Sequence, residues 1–271
     1  MVYKYVICLA VFLTCLILFP KIVTGQEDSG ILWLVNRENQ LPSNFRPDDL
    51  VKYKNTELRL PARDAFEKML AAMESDNVYG LRLQSAFRPY AYQQAIFNER
   101  VRELMKKGHS RDEAALLTLH SIQTPGASEH QLGLALDVSI NGCLTEDFAN
   151  TAAGQWLEEN CYKFGFIIRY PEHKTSVTGI IYEPWHLRYV GIPHSVIMKE
   201  CDLILEEYHR FIAEVSMYIV WGESGEYCLV SHVQTLPEEI PANVIDISQT
   251  KPETGDGYII TKKSISLNPQ Q

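Results

Sequence analysis

Two short segments hold side chains that could do chemistry together. In "ASEHQLGLALDVS", residues 127–139, His130 precedes Asp137. From Leu132 onward apolar residues (Leu132, Leu134, Leu136, Val138, Ile140) alternate with small or polar ones (Gly133, Ala135, Asp137, Ser139). Successive strand residues face opposite sides, so the alternation predicts a half-buried strand with Asp137 rising from a floor of tiny side chains. Such a floor leaves room for a metal and a substrate, and imidazole with carboxylate is a zinc-type donor pair. A carboxylate near a strand end is also a common cap or ion-pair partner, so this segment alone leaves both readings open. In "YEPWHLRY", residues 182–189, Glu183 and His186 lie on either side of Pro184 and Trp185. An unbroken strand would point Glu183 and His186 to opposite faces. Proline cannot donate a ladder hydrogen bond, so a bulge or break at Pro184 is what would turn both toward one site. His130, Asp137 and His186 then make a ligand set with Glu183 left unliganded. That is the division of labour in metal-assisted hydrolysis, where the metal acidifies a water and a carboxylate moves its proton. Trp185 is either a wall of the cleft or part of the core.

The elements that must position these groups can be read from the same chain. Ala62 to Met73 shows helical spacing of apolar residues with Pro61 suited to a first turn, "GLRLQSAF" is a short strand, and a helix runs from Pro89 to about Lys107. "SRDE" at Ser110 to Glu113 is a capping box. A helix over Thr151–Lys163, ended by Gly165, leads into the strand "FIIRY" and then "GIIYEPWHLRYVG". An amphipathic helix is expected over Ile197–Glu214, followed by β-like runs "MYIVWG", "YCLVSHV" and "GYIITKK". Helices and strands mix without regular βαβ alternation, which predicts an α+β fold.

The whole chain of 271 residues, 46% hydrophobic and 22% charged, suits one substantial globular domain with a smaller extension. A net charge of -9, with no basic run after Lys21, argues against nucleic acid as a partner, because phosphate binding needs clustered Lys and Arg. The N-terminus has Lys4, an apolar run from Tyr5 to Phe19 and then Lys21, the order of an export segment. The run is short for a membrane span, and Val23-Thr24-Gly25 lacks an A-x-A cleavage pattern, so a cleaved signal and a retained anchor both stay open. Either way the rest of the chain is expected outside the cytoplasm. Cys143, Cys161, Cys201 and Cys228 show no CxxC spacing and are expected as buried free thiols, with a disulfide left open in an exported chain.

"SEHQLGLALD" and "EPWH" match the SxHxxGxAxD and ExWH motifs of VanY-type D-alanyl-D-alanine carboxypeptidases, and the chain resembles that family from about Trp33 to Gly191. The resemblance implies a small mixed helix and antiparallel-sheet fold of the Hedgehog/D,D-peptidase-like kind, to which the β-like runs after Gly191 add a short β-rich C-terminal extension. Together with the residue patterns outside it, this gives a signal peptide or membrane anchor (1–25), a lead-in (26–50), a zinc D,D-carboxypeptidase domain (51–196) and a C-terminal helix with a small β-rich extension (197–271). The resemblance also implies one Zn2+ held by His130, Asp137 and His186, Glu183 as general base and acid, and a peptidoglycan stem peptide as the partner of a monomer. A third family segment, SGYRSxxxQ, is here "SAFRPYAYQ", keeping Ser85, Arg88 and Gln93 but departing at Ala86, Phe87 and Pro89. By that match Arg88 would hold the substrate's terminal carboxylate, with Gln93, Ser128 and Trp185 as further substrate contacts.

Other readings remain beside this one: an L,D-carboxypeptidase or endopeptidase on the same scaffold, and a zinc-stabilised cell-wall-binding module without catalysis. A serine peptidase is the poorest, since its SxxK match at Ser248–Lys251 has no SDN or KTG companion. Glu129 and the histidines outside the two motifs are expected as solvated or structural residues.

Overall fold

The computed structural model describes residues 3–7, 28–142, 144–215, 217–222, 226–237, 240–250 and 257–263. In chain order its strands are β1 (Tyr3–Ile7), β2 (Leu50–Tyr53), β3 (Thr56–Arg59), β4 (Arg82–Ser85), β5 (Ala135–Ser139), β6 (Phe166–Tyr170), β7 (Glu183–Tyr189), β8 (Met217–Gly222), β9 (Tyr227–Val233), β10 (Val244–Thr250) and β11 (Gly257–Lys263). Its α-helices are α1 (Leu60–Ser75), α2 (Tyr90–Lys106), α3 (Arg111–Thr118), α4 (Ala152–Asn160), α5 (Thr175–Thr178), α6 (His194–Glu200) and α7 (Leu205–Val215). Two compact units are distinguished, Leu34–Ser195 and a second made of Val196–Gln271 with Met1–Trp33. The lead-in expected over 26–50 is thus shared between them.

The first unit is built on a four-stranded antiparallel sheet in the order β4-β5-β7-β6. One face carries the core: Leu136 and Val138 of β5, Leu187 of β7 and Phe166 of β6 pack with Phe66 and Met69 of α1 and Trp156 and Leu157 of α4. Helix α1 can do this because Ala62, Phe66, Met69 and Met73 recur on one face, with proline in its first turn where no backbone donor is lost. Of the expected capping box the Ser110 half is present, Oγ accepting from Glu113 N at 3.3 Å, while the Glu113 carboxylate lies 3.2 Å from His109 Nδ1. Thr151 caps α4 by accepting from Gly154 N at 3.0 Å, and a 3-10 turn then runs to Gly165 at φ 87°. The lead-in is pinned to the loop before β5, where Gln131 Nε2 donates to the carbonyls of Pro42 and Phe45.

The segment with the alternating pattern folds differently from its periodicity. Glu129–Leu132 is a 3-10 turn, Gly133 is left-handed at φ 68°, and the strand begins only at Ala135. Leu132 and Leu134 are buried but lie outside it, and every residue of β5 is buried rather than half of them. Gly133 is therefore glycine for its backbone and for the Leu50 and Arg59 side chains against it, not to clear space for a metal.

In the second unit the strands are ordered β1-β8-β9-β11-β10, all paired antiparallel. β10 was not among the expected strands. The helix expected over 197–214 is broken into α6 and α7, with Asp202 at φ 51° between them. Ser248 of the SxxK match is buried in β10 and bonded to Asp246 and Ser29, so it is no nucleophile, while Lys251 lies outside the described residues. The apolar run expected as an export segment is described only where Tyr3–Ile7 pairs with β8. Among the described residues no helix is long and apolar enough to cross a membrane. Cys161 and Cys228 are buried free thiols as expected, Cys201 is free but only half-buried, and Cys143 lies outside the described residues.

Gly133→Ala tests the turn that joins His130 to Asp137. A left-handed alanine costs about 1–2 kcal/mol, so the urea midpoint should fall by that equivalent. An unchanged midpoint would show that the turn tolerates a side chain there.

Candidate active site

The two central strands bring the two motifs together. Asp137 on β5 is the direct register partner of His186 on β7, on the sheet face opposite the core. His186 Nδ1 lies 3.1 Å from Asp137 Oδ1, and His130 Nε2 lies 3.2 Å from Asp137 Oδ2. His130 reaches this position from the 3-10 turn and is locked by its other nitrogen, Nδ1, which donates to the Ala86 carbonyl at 2.6 Å. That bond fixes the tautomer and aims the Nε2 lone pair at Asp137. Arg88 N donates to the His130 carbonyl at 3.1 Å and Arg88 Nη2 to Asp137 Oδ2 at 3.2 Å, so the turn "SAFR" grips both residues.

The bend expected at Pro184 is a bulge in a continuous strand. Between the β6 partners Ile168 and Tyr170 lie two steps, while their β7 partners Leu187 and Glu183 are four apart, so β7 holds two extra residues there. Glu183 and His186 consequently meet, with Glu183 Oε2 3.5 Å from His186 Nδ1.

These groups fit a divalent cation. Donor atoms of His130, Asp137 and His186 lie within 4.8 Å of one another. Tetrahedral zinc with bonds of about 2.0–2.2 Å needs its donors roughly 3.3–3.6 Å apart, close to the two imidazole–carboxylate spacings here. His130 Nε2, the nitrogen that faces Asp137, is buried and makes no hydrogen bond among the described residues, the state a ligating nitrogen needs, and at His186 the nitrogen that faces the cluster is Nδ1. Burial, with the Arg88 charge beside it, pushes His130 down to about 4, so it is a neutral ligand at pH 7. Burial alone would raise Asp137, but His130, His186 and Arg88 hold its carboxyl well below the usual carboxylate range. Glu183 goes the other way: burial and the Asp137 charge push it well above that range, partly opposed by Arg88.

A cleft of about 370 Å³ opens over this centre, and all the expected substrate contacts line it: Arg88, Gln93, Ser128 and Trp185. Gln93 Nε2 is tied to the Gln123 carbonyl at 2.7 Å, while its Oε1 is buried and makes no hydrogen bond among the described residues. Trp185 is both wall and core, since it also packs on the main apolar cluster. Three cleft features carry no motif and were not expected: the Tyr170 ring 4.9 Å from the His186 ring, the Gln123 carbonyl, and an apolar rim that includes Leu144 and Ile181.

Glu129 corrects an expectation. It is not a solvated loop carboxylate but is 1% exposed, with Oε1 accepting a hydrogen bond from Arg169 Nε at 2.8 Å and ion-paired with Arg188 Nη1 at 2.9 Å. The signal that could have exposed it is the pair of arginines inside buried strands, Arg169 in "FIIRY" and Arg188 in "EPWHLRY", which need a buried carboxylate.

Comparison with known proteins identifies the family and the fold. The family described as "VanY: D-alanyl-D-alanine carboxypeptidase" matches residues 55–192. A D-alanyl-D-alanine carboxypeptidase of Enterococcus faecalis (strain ATCC 700802 / V583) is 38% identical over 186 residues, 68% of this chain and 67% of that protein. Among solved structures, a VanY D,D-pentapeptidase from a VanB-type vancomycin-resistance cassette, in complex with Zn(II), is 37% identical with a TM-score of 0.59, covering 66% of this chain and 98% of that one. The LdcB LD-carboxypeptidase is 38% identical with a TM-score of 0.59, over 70% of this chain and 92% of that one.

The raised Glu183 carboxyl gives a pH prediction for metal-free protein. A carboxyl with a raised folded pKa contributes stability below its unfolded value, near 4.5, and loses it as pH rises through the folded value. Glu183→Gln avoids that loss. Its stability advantage over the unchanged chain should therefore grow as pH rises from 4.5, read by urea melts in chelator at several pH values. A difference that stays flat with pH would contradict the buried, raised carboxyl.

Proposed function

The chain belongs to the VanY family of D-alanyl-D-alanine carboxypeptidases, and from that premise we propose that His130, Asp137 and His186 hold one zinc ion while Glu183 does the proton transfer. The observation that carries the reading is the unliganded Glu183 carboxylate beside a cluster of donors spaced for a metal. Bound there, zinc lowers the pKa of a water and polarises the scissile carbonyl, and its charge favours ionised Glu183. Glu183 takes the proton as the water oxygen bonds to the carbonyl carbon, then delivers it to the departing amine as the C–N bond breaks. A purely structural zinc module has no use for this carboxylate.

Arg88 spends one N–H on Asp137 and lines the cleft, and a guanidinium has five donors. Its remaining edge suits the free carboxylate of a C-terminal D-Ala. Gln93 Oε1 and Ser128 are placed to meet the peptide backbone, and Trp185 bounds the site. The substrate is the peptidoglycan stem peptide, which puts this unit outside the cytoplasm, in keeping with the Lys4-apolar-Lys21 pattern of the N-terminus. If residues 1–25 are removed on export, β1 leaves with them and β8 becomes a sheet edge.

An L,D-carboxypeptidase is the second reading, favoured by the identity to LdcB. One assay separates them. The chain is incubated with stem pentapeptide ending in D-Ala-D-Ala, with tetrapeptide and with C-terminally amidated pentapeptide, and products are weighed by mass spectrometry. The pentapeptide should lose one alanine, the others should persist, and chelator should abolish the loss. Alanine loss from the tetrapeptide alone would move the assignment to L,D, and equal cleavage of the amide would remove the carboxylate requirement. Glu183→Gln should keep zinc while kcat drops about 10²–10⁴-fold; unchanged hydrolysis would contradict the role of Glu183.

A further inference from the structure

Beside the candidate ligands lies a buried ion cluster that the proposed chemistry does not use. Glu129, Arg169 and Arg188 are each no more than 1% exposed, and both arginines converge on Glu129 Oε1. Each member belongs to a segment that carries part of the site. Glu129 adjoins His130 in the 3-10 turn. Arg188 follows His186 by two on β7, hence on the same face. Arg169 precedes Tyr170 on β6, its guanidinium lies 5.0 Å from the centre of that ring, and the ring in turn packs against His186. The register partner of Arg188 is Ala135, two residues before Asp137 on β5. The smallness of Ala135 thus makes room on this face for an arginine.

Stability alone is a poor reason to bury three ions. Desolvation offsets most of their attraction, and apolar residues of similar volume often serve as well or better. What ions add is direction: a carboxylate oxygen held by two guanidinium groups fixes the spacing of the three segments that own it. We propose that Glu129 is a positioning residue for the metal site, clamping the His130 turn against β7 and β6 so that His130 and His186 face Asp137 at ligating distance. This rests on the reading of His130, Asp137 and His186 as a zinc site.

The test is zinc affinity, measured on the metal-free full chain by competition with a chelator of known strength, together with the visible absorption of the Co(II)-loaded protein, which reports ligand geometry. Glu129→Gln, shown folded by circular dichroism, should bind zinc about 10–100-fold more weakly and alter the Co(II) bands, and Glu129→Asp should restore part of both. Full zinc affinity with an unchanged Co(II) spectrum in folded Glu129→Gln would overturn the proposal. Should Glu129→Gln fail to fold, Arg169→Lys keeps the charge but loses the fork: weakened zinc binding in it supports the clamp, and full affinity overturns it. His130→Ala, run alongside, keeps the two readings apart. If it binds zinc as well as the unchanged chain does, the ligand assignment itself falls; if it loses zinc while Glu129→Gln does not, only the clamp falls.

Discussion

A carboxylate buried between two imidazoles is the interaction on which the rest of this structure depends. Asp137 sits on a central strand, is almost without solvent, and keeps its charge beside the Arg88 guanidinium with an imidazole on either side. An unpaired buried charge would cost several kcal/mol, so the fold has to deliver each partner to its place. His186 comes from the adjacent strand in direct register, His130 from a 3-10 turn closed by left-handed Gly133, and Arg88 from the turn between β4 and α2. The Ala86 carbonyl then fixes which nitrogen of His130 looks inward.

The sheet works as a two-sided plate. Leu136, Val138 and Leu187 on one face hold α1 and α4, and this apolar contact gives β5 and β7 the rigidity to carry buried polar groups on the other. Two extra residues in β7 break the strict alternation at the one point where Glu183 and His186 must turn the same way. The result is a local assembly whose members would each be unfavourable alone: a buried histidine with a lowered pKa, a carboxyl pushed up by burial, and a buried ion cluster beside them. Such a set persists because the surrounding packing over-determines it.

Much of the site was legible because chemistry constrains residue type and spacing together. His130 with Asp137, and Glu183 with His186 across Pro184, are patterns that few other purposes require, and α1, α3 and α4 announced themselves by periodicity and caps. What escaped has physical reasons. The alternation from Leu132 looked like strand, but residues 126–139 are all buried, so the alternation of residue types marks no exposed face, and periodicity is blind to a single change of φ. Glu129 looked like a surface carboxylate because its partners, Arg169 and Arg188, are 40 and 59 positions away and meet it only through the sheet. The break at Asp202 escaped because a non-glycine residue there takes φ 51°, which propensity disfavours. Strand β10 offers apolar residues in a polar context and depends on β11 for its pairing.

The most direct measurement is a crystal structure of the zinc-loaded chain with anomalous data collected on both sides of the zinc absorption edge. One anomalous peak should lie among His130 Nε2, the Asp137 carboxylate and a ring nitrogen of His186, with Glu183 beside the metal but not bound to it. A zinc peak elsewhere, or none at these three residues in protein that retains zinc in solution, would contradict the account.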